Sequence, residues 1–122
     1  MESYKQHLDL ANERFDWAER LFSEGSENTA CHLFINAAIN YHNALSQKLL
    51  GKIFSHKQHS DTSYFKELSR LLGHDYQRYK SAYEFLMQYK GQADYGGGLS
   101  AGSAANIRRQ AQKIREITEP LL

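Results

Sequence analysis

A chain of 122 residues, 41% of them hydrophobic and with a net charge of +1, can bury one core without disulfides or a structural metal, and it reads as a single domain over 1–122. The lone Cys31 excludes an internal disulfide, and no apolar run approaches the roughly 20 residues of a membrane span. The opening "MESYKQHLDL" holds no apolar signal segment, so a cytoplasmic protein without a membrane partner is expected.

Leu8, Ala11, Phe15, Ala18 and Phe22 recur at three-four spacing and predict a first helix from about Tyr4 to Glu24 that stops at Gly25. This region is acidic: residues 1–30 hold seven Asp or Glu against three Lys or Arg, leaving twelve basic against seven acidic residues in the rest of the chain. Arg108, Arg109, Lys113 and Arg115 cluster near the C terminus. Such an asymmetry serves either phosphate binding or, the commoner case, a helix face whose neighbour carries the complementary charge.

The second helix is expected to begin near Ser26, whose Ser-x-x-Thr start offers a cap, and to run to Gly51 as the central, most buried element. It carries Asn36, Asn40 and Asn43 on one face. Asparagine is a poor helix former, so this stripe predicts an interhelical hydrogen-bond network, a dimer interface or the floor of a polar groove. His42 beside it reads as a satisfied, partly buried histidine.

Residues 52–60, "KIFSHKQHS", break the pattern as a connection. Here His56 and His59, with Asp61 nearby, have the spacing of a weak zinc pair, although two loop histidines without cysteines are usually only loop residues. Ser60 or Asp61 caps a short third helix ending at Gly73. His74-Asp75 marks the next helix start, where the acid favours the dipole.

The fourth helix runs from about Asp75 through "YQRYKSAYEFLMQYKGQADY", with Tyr79, Tyr83, Leu86 and Ala93 on one side. Its tyrosines, Tyr76, Tyr79, Tyr83 and Tyr89 among them, suit an aromatic interface between two copies or base stacking, though packing is the commoner use. Each glycine costs a helix interior ~1 kcal/mol relative to alanine, so Gly96, Gly97 and Gly98 end this helix as a hinge. Lys90 lies four residues before Asp94 and can pair with it. Behind the pair the glycines leave room for a phosphate, a nucleotide or a partner's backbone. A fifth helix runs from about Ser103 to Thr118 on Ile107, Ala111 and Ile114, with Pro120 just beyond it. No strand alternation appears, and the expected fold is an all-α bundle of four long helices plus a short one. No Gly-rich phosphate loop or nucleophile elbow appears either, and no cofactor is expected. Cys31, near a helix start, reads as a buried small hydrophobe rather than a reactive thiol.

The order "FINAAINYHNALSQKLLG", "SHKQHSDTSYFKELSRLLG", "YKGQADYGGGLS" and "AANIRRQAQKIREI" resembles the HEPN domain family of prokaryotes over roughly residues 5–118. The most specific element is "ADY" at 93–95. The resemblance implies an up-and-down helical bundle that forms homodimers. Ribonuclease members of that family use an Arg followed four to six residues later by a His, presented from the fourth helix into a groove at the dimer interface, and cleave RNA without metal. The Arg position falls on Lys90 and the His position on Tyr95. Lysine lacks the planar fork that grips a phosphate, and tyrosine is a poor proton acceptor at neutral pH. The resemblance therefore implies a non-catalytic interaction module. Its expected partners are a second copy, a nucleotidyltransferase or another defence or stress component such as a toxin–antitoxin pair, and a nucleotide or RNA but not DNA. The alternative is a divergent ribonuclease using Lys90 with Tyr95.

Overall fold

The computed structural model describes residues 4–51, 65–95 and 100–122, with the side chains at 50, 65–67, 91–95 and 101 outside the description. The described residues are helical, with no strand among them. In chain order they form α1 (Tyr4–Ser23), α2 (Glu27–Leu50), α3 (Phe65–Leu72), α4 (Tyr76–Tyr95) and α5 (Ala101–Thr118), with 3-10 turns at Gly73–Asp75 and Glu119–Leu121. The connection at 52–60, with His56 and His59, the expected cap at Ser60 or Asp61, and the glycine triplet at 96–98 lie outside the described residues.

The helix ends follow backbone chemistry. Gly25 closes α1 with φ +90°, and its N–H bonds the Phe22 carbonyl at 3.2 Å while the Ser26 N–H reaches back to Leu21 at 2.9 Å. This crossed pair satisfies carbonyls that the helix end would leave bare, and it needs a left-handed residue at the glycine. Ser26 does occupy the N-cap position of α2, but it makes no side-chain capping bond. Its φ of −85° and ψ of 61° are not the extended backbone that aims a hydroxyl at the first turn. Gly51 ends α2 in the left-handed region, with its N–H on the Ser46 and Gln47 carbonyls. The expected start of α5 at Ser103 moves to Ala101, because Ser100 is extended and its side chain accepts the Ser103 N–H at 3.1 Å.

Helix α2 is the buried centre, packing against α1, α4 and α5. Phe34, Ile35, Ala38, Tyr41 and Leu45 on it are all but inaccessible, and Phe15 and Phe22 of α1 meet Phe34 edge-on, with centroids 5.3 and 6.2 Å apart. Asn12 pairs with Tyr41 and Phe22 with Phe34, so α1 and α2 are antiparallel. The Cys31 thiol reaches the Ala104 carbonyl and the Lys48 ammonium the Leu122 carbonyl, so α2 and α5 run parallel. Among the described residues, no helix is long and apolar enough to cross a membrane.

Candidate functional site

Helix α2 places polar groups on three sides of an otherwise apolar rod, because its 100° step distributes neighbouring residues to different partner helices. The asparagine stripe does not act as one unit. Asn36 is half-buried and its amide contacts the His32 ring nitrogen at 3.1 Å, within the same helix. Asn40, 7% exposed, accepts a 2.7 Å bond from Arg14 Nη1 of α1. Asn43 is 8% exposed, and its Oδ1 has no hydrogen-bond partner. Two of the three are thus buried within a single chain, which leaves Asn36 as the member accessible to a ligand or to a second copy.

Toward α4 lies a compact aromatic and imidazole cluster. His42 is fully buried, not partly buried as its sequence context suggests. Its Nδ1 shares a 2.5 Å hydrogen bond with the Tyr79 hydroxyl, and its ring lies 4.5 Å from that of Tyr83, which stacks at 6.3 Å on Tyr79. Both tyrosines are inaccessible. They belong to the core, so among the α4 tyrosines whose side chains are described, Tyr76 and Tyr89, each half-buried, are the ones that retain surface for a partner. Ser46, one turn beyond His42, is also fully buried, and its Oγ has no hydrogen-bond partner.

Toward α1, the Tyr41 hydroxyl donates to Asn12 Oδ1 at 2.5 Å, and the Arg115 guanidinium of α5 lies 6.0 Å from the Tyr41 ring centre and 4.7 Å from that of Phe15. Burial raises the Tyr41 pKa above its ordinary value, and the Glu119 and Asp16 carboxylates push the same way while Arg115 opposes them. Arg115 bonds Asp16 at 3.2 Å and also Glu119. Two turns toward the N terminus of α5, Arg108 grips both Glu19 oxygens, with Nη2 at 2.8 Å from Oε2, and Gln112 adds a 3.2 Å bond to Oε1. Two members of the basic C-terminal cluster are thereby paired with the acidic first helix. Arg109 stays exposed and Lys113 half-buried. Arginine 14 and Asn12 were not singled out by the sequence pattern. Their signal is only that they flank the apolar stripe of α1, and nothing local says which α2 residue they meet.

Lys90 is half-buried on α4, and the helical backbone continues through Asp94 and Tyr95 to the end of that helix, with both of those side chains outside the description. Cys31 is buried, and burial, with a smaller push from Glu27, raises its pKa to about 11. That favours an inert protonated thiol over a nucleophile. His74 is exposed and lies 3.8 Å from Asp75, which pairs at 3.2 Å with Arg78. Among the described residues, no three His, Cys, Asp or Glu side chains group so as to hold a metal ion. Comparison of the chain with family models, with curated proteins and with solved structures finds no match.

Proposed function

We propose that this chain is a HEPN-type interaction module that binds partners without cleaving RNA, working as a homodimer beside a nucleotidyltransferase or another defence or stress component. The observation that carries the reading is the stretch "YKGQADY", which closes α4 with Lys90 and Tyr95 where cleavage would need arginine and histidine. Lysine offers a point charge without a two-pronged grip, and a phenol near pKa 10 does not accept a proton at neutral pH. The up-and-down bundle belongs to the same proposal, and the antiparallel α1–α2 and parallel α2–α5 pairs support it.

The dimer in this reading uses the accessible remainder of α2 and α4: Asn36, Lys90, and the half-buried Tyr76 and Tyr89. A two-fold axis brings each of these against the same patch of the second copy, where tyrosine provides apolar area with a polar edge. Light scattering at tens of micromolar is expected to give twice the chain mass, and Tyr89→Glu is expected to halve it. A parent protein of single-chain mass contradicts the homodimer.

A further inference from the structure

Among the described residues, the exposed large apolar side chains are Leu10, Trp17 and Leu71. Two of these lie on α1, seven residues apart and therefore on one face, off the stripe that packs on α2. Trp17 is 50% exposed. Beside it a depression of about 300 Å³ is lined by Glu13, Asp16, Trp17 and Arg20.

The chemistry of this depression selects its occupant. An indole face attracts cations, and here it already holds one, the Arg20 guanidinium 5.2 Å from the ring centre. Among the described residues Arg20 also pairs with Glu24, at 3.2 Å between exposed side chains, a pairing weak enough to be exchanged. Glu13 is exposed. Asp16 keeps 70% of its side-chain surface despite its bond to Arg115. The two carboxylates and the ring together suit an incoming lysine or arginine, and Leu10 extends the apolar floor toward a residue one or two helical turns away in the partner.

We propose that this face of α1 docks a basic amphipathic helix of a partner protein, with a lysine or arginine between Glu13 and Asp16 against Trp17 and an apolar residue on Leu10. The surface lies on α1, away from the α4 terminus, so it does not rest on the functional reading above.

Trp17 is the only tryptophan in the chain, so its emission reports this site alone. The probe is a synthetic helical peptide with leucines along one face and lysines beside them, compared with a twin in which every lysine is glutamate. The full chain is expected to bind the lysine peptide with a shift in Trp17 emission that fades as salt rises, and to leave the glutamate twin unbound. Glu13→Lys, on an exposed helix position that leaves folding intact, is expected to weaken the lysine peptide roughly fivefold. Calorimetry with Trp17→Ala is expected to lose binding, while light scattering of that variant matches the parent. The proposal is overturned if neither peptide moves the emission, if both bind alike, if Glu13→Lys changes nothing, or if Trp17→Ala alters the oligomeric mass, which would make the face a contact between copies.

Discussion

Two buried polar side chains on α2, His42 and Ser46, separate what a hydrogen bond contributes from what an unmade one costs. The His42 Nδ1 meets the Tyr79 hydroxyl in a site closed to water, so Tyr79→Phe removes a bond that solvent cannot replace. We expect a loss of about 1–3 kcal/mol in urea unfolding. Ser46 is equally buried but its Oγ is unpartnered, so Ser46→Ala removes an unmet desolvation cost. That variant is expected to match or exceed the parent by up to ~1 kcal/mol; a loss as large as that of Tyr79→Phe would show that the hydroxyl is bonded in solution. Cys31 gives a third residue-level expectation. Its thiol rises from 9.0 to about 11 in the fold, so the folded state favours the protonated form, and the associated stability is intact below pH 9 and is lost as pH climbs from 9 through 11. Tyr41, also raised by burial, acts in the same direction at higher pH. Unfolding free energies measured between pH 8 and 11 should fall, and Cys31→Ala should remove up to roughly 2–3 kcal/mol of that fall. An unchanged profile in Cys31→Ala would contradict the assignment.

At the scale of helices, α1 is held in two different ways. It packs directly on α2 through Ala11, Phe15 and Ala18, whereas α5 reaches it with long side chains: Arg108 lies over Phe22 and Arg115 over Phe15 while their guanidinium ends pair with Glu19 and Asp16. The guanidinium groups themselves lie over the rings while their N–H groups reach the carboxylates. Arg108→Ala should therefore cost more than the partly exposed ion pair alone, about 1–2 kcal/mol, and Arg108→Met, which keeps apolar cover beside Phe22, should recover part of it; equal losses in a chemical denaturation series would place the whole effect in the charge. The bridge was legible in the sequence as an acidic first helix and a basic last one, and the stops at Gly25 and Gly51 were legible because left-handed turns select glycine. The fate of the asparagine stripe was not. Periodicity places Asn36, Asn40 and Asn43 on one face but cannot say that Arg14 arrives from α1 to bond Asn40, or that Tyr79 and Tyr83 sink around His42. Those partners are set by helix packing between residues far apart in the chain. The exposed Leu10 and Trp17 were readable in principle as apolar residues off the α1 stripe, yet a lone surface tryptophan acquires meaning only when its carboxylate neighbours are seen around it.

For the whole molecule, the described residues give an all-helical architecture with α2 at its centre, and its polar interior binds helices together rather than exposing a proton donor and acceptor to a substrate. His42, an obvious general base by residue type, is sealed beneath Tyr79 and Tyr83, and Cys31 is sealed beside Ala104. At the end of α4 stand Lys90, which is half-buried, and in sequence Asp94 and Tyr95, residue types poorly suited to proton transfer at neutral pH. Binding without cleavage is tested by incubating the purified full chain with end-labelled structured and single-stranded RNA in chelator and resolving the products on denaturing gels. Both RNAs should remain full length across neutral pH. Cleavage that disappears in Lys90→Ala or Tyr95→Phe would instead identify the chain as a divergent ribonuclease.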